Sequence, residues 1–162
     1  MTVQLRDMHT GDIPVVAGIW HSGWHDGHAK HVPAALTRLR TLASMTERLP
    51  PLVAATRVAE MGAARQVAGF CMVKGAELYQ MYAAPQARGS GLAAQLLAEG
   101  EARIKAAGHA RAHLDCAIGN ARAARFYEKN GWINTGEALS QLDTSQGTFA
   151  LTLWRFEKPL QP

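Results

Sequence analysis

Residues 81–92, Met-Tyr-Ala-Ala-Pro-Gln-Ala-Arg-Gly-Ser-Gly-Leu, carry the chemistry of an anion site. A β-prone run ends at Pro85, Gly89 and Gly91 follow, and a helical pattern begins at once with Leu92, Leu96, Leu97, Gly100 and Ile104 on one face. The first turn of a helix leaves N–H groups unpaired, and its dipole adds about half a positive charge there. The two glycines let a phosphate reach that backbone without meeting a Cβ, and Arg88 adds a charge-assisted contact. The loop has neither the Gly-Lys-[Ser/Thr] of a P-loop nor the three glycines of a dinucleotide fingerprint. On these residues alone, a tight strand-to-helix turn whose glycines serve only geometry is an equal reading.

A second set lies downstream, in Leu-Asp-Cys-Ala-Ile-Gly-Asn-Ala-Arg-Ala-Ala-Arg-Phe-Tyr-Glu-Lys-Asn-Gly-Trp over 114–132. Asn120 caps a helix there, and Tyr127, two turns on, shares its face. A third set is histidine-rich: His21, His25, His28 and His31 fall together with Trp20, Trp24 and Asp26. His21 and His25 stand one turn apart, but Gly23 and Gly27 argue against a regular metal-binding helix and no second ligand cluster follows, so no metal is expected. Cys71 and Cys116 are too distant for a Cys-x-x-Cys motif and read as buried thiols.

The elements that must hold these groups follow from periodicity. Strands are expected over 3–8, 52–59, 66–74, 77–83, 110–117, 132–138 and 148–157. Helices are expected from 13, with Ile13, Val16, Ala17 and Trp20 inward, over 34–49, with Leu36, Leu39, Leu42 and Met45 at every third position, from 92 to Gly108, and over 120–129. The histidine-rich stretch separates the first two helices, and residues 140–147 read as a polar loop between the last two strands. The order implies an α+β sandwich, helices packed on one central sheet.

A chain of 162 residues builds one core, so a single domain over 1–162 is expected. With 48% hydrophobic and 19% charged residues it is globular, and no apolar run approaches the roughly 20 residues of a membrane span. The N-terminus lacks the apolar stretch of a secretory signal, which points to the cytoplasm. Lys plus Arg number 17 against 13 Asp plus Glu, a net +4 that is scattered along the chain. Nucleic-acid binding is therefore the minority reading beside a small phosphate-bearing ligand.

The two motifs together, Gln86, Gly89 and Gly91 followed by Asn120, Ala123, Phe126, Tyr127 and Gly131, resemble the GNAT superfamily of acyl-CoA N-acyltransferases in order and spacing. Trp132 stands where Phe is usual, and the resemblance is strongest from Glu77 to Trp132. It implies a mixed, mostly antiparallel sheet of about six or seven strands flanked by about four helices. It also implies acetyl-CoA in a V-shaped opening between the fourth and fifth strands. The pyrophosphate would lie on the loop Gln86, Arg88, Gly89, Ser90, Gly91, Leu92 and Ala93, and the acetyl carbonyl on a backbone N–H near Met81, Tyr82 or Ala83. Asn120, Ala123, Phe126 and Tyr127 would flank the cofactor, with Asn120 mainly a helix cap.

The resemblance further implies the chemistry. A primary amine must lose a proton before or during attack, and Glu77, at the start of the acyl-holding strand, resembles a strand glutamate used as base in part of the family, other members using water. His113 and Asp115, on one face of the next strand, are weaker base candidates. Tyr127 resembles the family's general acid for the departing thiolate. Transfer is expected to be direct, in a ternary complex, because Cys116 has no His beside it in sequence to make it a nucleophile. Trp20, Trp24, His25 and His28 would form the acceptor pocket for a small-molecule or peptide amine. A non-catalytic CoA-binding module and an RNA-directed acetyltransferase are the alternatives. Phe149, Leu151, Leu153 and Trp154 alternate in a way that would also suit a homodimer face.

Overall fold

The computed structural model describes residues 2–160. Seven strands, β1 (Val3–Asp7), β2 (Thr56–Met61), β3 (Gln66–Lys74), β4 (Glu77–Ala83), β5 (Arg111–Cys116), β6 (Ile133–Thr144) and β7 (Gly147–Pro159), form one sheet in the order β1-β2-β3-β4-β5-β7-β6. Every neighbouring pair is antiparallel except β4 and β5, which run parallel and are joined by the crossover helix α4 (Leu92–Ala106). The other helices are α1 (Ile13–His28), α2 (Ala34–Leu39), α3 (Leu42–Arg48) and α5 (Ala121–Lys129).

The centre of the sheet is covered on both faces, which is why β3 reads as a continuous apolar run instead of alternating. Phe70 faces α1, where its ring meets Trp20 edge-on at 6.4 Å between centroids. Gly69, one residue before it, faces α4, and a Cβ there would lie 2.6 Å from Leu92 and 2.8 Å from Leu96. Leu92, Leu96, Leu97 and Ile104 of α4 are fully buried against this face.

Several elements differ from the sequence expectation. Helix α1 runs through the histidine-rich stretch to His28. Gly23 sits in it because a Cβ there would fall 2.5 Å from the Tyr82 ring, so the glycine permits close packing and does not end the helix. The single helix expected over 34–49 is two, α2 and α3, divided at Arg40, whose ψ is 57°. A strict three-residue spacing turns about 60° around a helix at each step, so Leu36, Leu39, Leu42 and Met45 cannot share one stripe. The break restores burial to Leu36 and Met45 and leaves Leu42 exposed. Thr41 caps the restart by accepting the Ser44 N–H at 3.0 Å. Residues Pro50–Ala55 form a 3-10 turn, opened by the prolines, which takes up 52–55 of the strand expected over 52–59.

The expected polar loop over 140–147 is instead the tip of a long hairpin, with Leu142 paired to Phe149 and Thr144 to Gly147. Its polar residues face water on one side and a polar cavity on the other, so the alternation that marks a strand is hidden. Leu153 is buried and Phe149, Leu151 and Trp154 pack partly on the core, so their alternation is used within the chain. Among the described residues, no helix is long and apolar enough to cross a membrane.

Candidate active site

Two cavities meet at the centre of the sheet, and strand β4 forms the wall between them. Its register against β3 shifts so that Met72 faces Gln80 and Val73 faces Leu78, leaving Tyr79 as an inserted residue. Glu77 and Tyr82 are five apart and would lie on opposite faces of a regular strand. The bulge places both on the α1 side, together with Tyr79 and Gln80.

Beyond the bulge β4 leaves β5. The two strands pair only at Glu77 and His113, where the His113 N–H donates to the Ala76 carbonyl at 3.0 Å. The Ala84 N–H donates to the Ala68 carbonyl of β3 at 2.7 Å. Successive amides alternate across a strand, so the N–H groups of Tyr82 and Gln80 also serve β3, whereas those of Met81 and Ala83 point into the opening. Of the backbone donors expected near Met81 or Tyr82, the Met81 N–H therefore faces the opening, with that of Ala83 next to it.

The opening is a cleft of about 850 Å³ lined on one side by β4 and α4 and on the other by α5. At its α4 end Gly89 and Gly91 adopt φ of 77° and 83°, left-handed backbone that side chains disfavour, and Ala93 and Ala94 present the first turn of α4. Arg88 stands at the lip, paired with Asp26 of α1 at 3.0 Å, and Arg122 approaches the same carboxylate at 3.7 Å. Asn120 caps α5, accepting the Ala123 N–H at 3.2 Å. Ala123, Phe126 and Tyr127 continue that wall. The Tyr127 ring packs on Phe156 and Trp132, with centroids 5.7 and 6.2 Å away. Burial, then the neighbouring Cys116, pushes its phenol well above the ordinary range, so it carries its proton at any physiological pH.

The second cavity, of about 380 Å³, lies between α1, β4 and the β6–β7 hairpin, and shares His28, Tyr82, Tyr79, Gln80 and Asp115 with the cleft. Trp24 and His28 line it from the end of α1. Burial, then His31 and Arg40, pushes His28 down to about 4, leaving a neutral imidazole where the two cavities join. Asp143 accepts the Tyr79 hydroxyl at 2.7 Å and Lys74 Nζ at 3.3 Å. Asp115 accepts Ser140 Oγ at 2.7 Å and faces Arg155 Nε at 3.5 Å. Glu77 is half-buried without an ion-pair partner among the described residues. Burial, then the charge of Asp115, raises it above the usual carboxylate range.

Of the residues singled out in the sequence, Met81, Tyr82, Ala83, Arg88, Gly89, Gly91, Ala93, Asn120, Ala123, Phe126 and Tyr127 line the cleft, while Glu77, Trp24 and His28 line the cavity. Five of the expected cofactor and acceptor residues line neither, nor does the weaker base candidate His113. Gln86 is exposed outside the cleft, Leu92 is a core residue, and Ser90 turns back to accept the Leu92 N–H at 3.2 Å. Trp20, 1% exposed, lies in the core beneath Arg48, whose guanidinium sits 4.7 Å from the ring centroid. His25 braces the α2–α3 break, with Nε2 2.6 Å from the Arg40 carbonyl. Burial, then Asp115, pushes the Cys116 thiol up to about 12, and both cysteines are free and buried. Sequence reasoning passed over Arg40, Tyr79, Asp143 and Arg155, and the break at Arg40 leaves only a faint signal, the three-residue spacing. Among the described residues no group of three His, Cys, Asp or Glu is arranged to hold a metal ion.

The splayed parallel pair beside a glycine-rich helix start makes a cleft that suits an extended, anionic ligand. The sequence profile described as the acetyltransferase (GNAT) family matches residues 33–132, and the chain belongs to this family. No curated protein matches it in sequence. Among solved structures it is similar to a GCN5-related N-acetyltransferase from Rhodopseudomonas palustris, with TM-score 0.75, 19% identity and coverage of 98% of this chain and 96% of that one. It is also similar to the PaiA N-acetyltransferase of Thermoplasma acidophilum, solved in complex with coenzyme A, with TM-score 0.72, 19% identity and coverage of 98% and 99%. At such identities these neighbours show the fold, a mixed sheet with one parallel pair, as the resemblance implied.

Proposed function

We propose that the protein transfers an acetyl group from acetyl-CoA to a primary amine of a small acceptor, by direct attack in a ternary complex, the described chain acting as one catalytic unit. The observation that carries this reading is the pair of free N–H groups, Met81 and Ala83, facing a cleft that opens at one end on a glycine-rich helix start and meets a separate polar cavity at His28 and Tyr82. The coenzyme A-bound neighbour from Thermoplasma acidophilum supports the choice of acyl donor.

Each residue then has a role. Arg88, Gly89, Gly91 and Ala93 hold the pyrophosphate on backbone amides and one guanidinium. Met81 donates its N–H to the thioester oxygen and stabilises the oxyanion that forms when the amine nitrogen bonds to the carbonyl carbon. Four residues, about 13 Å along the strand, separate Met81 from Glu77, so Glu77 takes the ammonium proton through water in the cavity. As the C–S bond breaks, Tyr127 gives its proton to sulfur and regains one from the nitrogen, leaving amide, thiol and one proton released to solvent. The high position of the Cys116 thiol leaves it unsuited to store the acetyl group.

The test is thermal unfolding with acetyl-CoA and, separately, CoA. At 100 times Kd a ligand adds about 2.7 kcal/mol, a rise of roughly 5–10 °C for a domain of this size. Absence of any shift at millimolar ligand would contradict the reading. Initial rates should give intersecting lines, and parallel lines would indicate a covalent intermediate.

A further inference from the structure

The polar cavity holds three cationic and three acidic side chains, and most of them answer one another. Asp143 is engaged by Tyr79 and Lys74, and Asp115 by Ser140 and Arg155. Arg40 is the exception on the cationic side. It is 5% exposed, lines the cavity, and forms no ion pair among the described residues. Its Nη1 donates to the Asp143 carbonyl at 2.5 Å, while Nε is buried without a partner. Nη2 makes no hydrogen bond within the described residues and is not one of the sealed, unpartnered atoms, so it opens on the cavity.

The surroundings deepen this imbalance. The charged and titratable groups that weigh most on Arg40 are Arg48, Tyr82, Tyr79 and Asp143, and the neighbouring His28 feels its charge in turn. Arg48, behind the cavity wall, donates to the Tyr79 hydroxyl at 2.9 Å and likewise forms no ion pair among the described residues, so the nearest carboxylate, Asp143, is already held by Tyr79 and Lys74. Burying a guanidinium without a counter-charge is costly, and burial with the repulsion of Arg48 lowers Arg40 to about 10. The α2–α3 break places Arg40 here, with its carbonyl held by His25 and its guanidinium 5.6 Å from the Trp24 ring centroid. An oxyanion is the ligand that a guanidinium with an open Nη2 recognises best.

We propose that the acceptor amine carries a carboxylate, as an amino acid does, and that Arg40 binds this carboxylate while the amine is directed to the junction at His28 and Tyr82. This rests on the acetyltransferase reading for the identity of the second substrate. The cavity volume of about 380 Å³ suits a single small molecule.

The test titrates amino acids and their decarboxylated amines, as matched pairs, into the protein with and without saturating CoA, followed by tryptophan fluorescence and calorimetry. At least one acid should bind about 10- to 100-fold more tightly than its amine partner. Arg40→Gln should bring that ratio within about threefold, and Arg40→Lys, which keeps the charge and loses the fork, should fall between. CoA affinity should stay unchanged in both variants, which also reports that they fold. The proposal is overturned if the amines or a polyamine bind as well as the acids, if Arg40→Gln keeps the ratio, or if no acid binds to CoA-loaded protein. Failure of acetyl-CoA to bind would instead remove the acetyltransferase reading, since discrimination between acid and amine is measured without it.

Discussion

The cleft and the polar cavity share Tyr82 and His28 yet are built in opposite ways. The cleft is made largely of backbone: the outward amides of Met81 and Ala83, the left-handed glycines 89 and 91, and the first turn of α4. Such groups are produced by local chain geometry, and a short motif is enough to write them into a sequence. The cavity is made of side chains brought from separate elements, Arg40 between helices, Glu77 and Tyr79 on β4, Asp115 on β5, Asp143 and Arg155 on the terminal hairpin. Nothing local connects them. On the proposed function, the common step, holding an acyl donor, falls to the backbone and the particular step, choosing an acceptor, to side chains.

If this division is right, damage to one region should leave the other intact. Gly91→Val forces a β-branched residue to φ near 83° and puts its side chain in the phosphate's path. Acetyl-CoA affinity should fall about 100- to 10,000-fold, read by calorimetry, with circular dichroism confirming the fold. Tyr127→Phe removes one hydroxyl from the cleft wall, where the proposed reaction puts the leaving sulfur. We expect kcat to drop about 10- to 1,000-fold with acetyl-CoA affinity little changed, and an unchanged kcat would remove Tyr127 from the reaction.

Glu77 sharpens the comparison from the cavity side. A base must be ionised, and burial raises this carboxyl, so kcat/KM should fall as pH drops through a value above the ordinary carboxylate range. Glu77→Gln should lower kcat/KM about 10- to 100-fold at neutral pH and flatten that acid limb. A limb that survives the substitution would assign the base elsewhere. The smallest effect belongs to the lip, where Asp26 holds Arg88 and approaches Arg122 in exposed pairs. Freed by Asp26→Asn, both guanidiniums should turn to the pyrophosphate and tighten acetyl-CoA binding about two- to fivefold. Weaker binding would show that Asp26 positions Arg88 instead of competing for it.

Legibility in the sequence follows the same division. The succession of strands and helices along the chain, α4, α5, the glycine loop and the Asn120–Tyr127 face are readable, because each depends on periodicity or on residues within two helical turns. The bulge at Tyr79 was not readable, since one inserted residue leaves no trace in composition, yet it alone places Glu77 and Tyr82 on one face. The histidine-rich segment misled for a related reason. Gly23 looks like a helix breaker until the Tyr82 ring, 59 positions later in the chain, is seen to occupy the space of its Cβ. Trp20 and His25 are expected in a pocket because the family resemblance puts this region on the acceptor side, but Phe70 and Arg48 enclose Trp20 and the Arg40 carbonyl engages His25.

The most direct measurement is the calorimetric titration of acetyl-CoA into three proteins, the unaltered chain, Gly91→Val and Arg40→Gln. The account predicts tight binding to the first and third with the same Kd, and binding lost in the second. Equal losses in both variants, or acetyl-CoA binding that ignores Gly91→Val, would contradict a backbone-built donor cleft separate from the acceptor cavity.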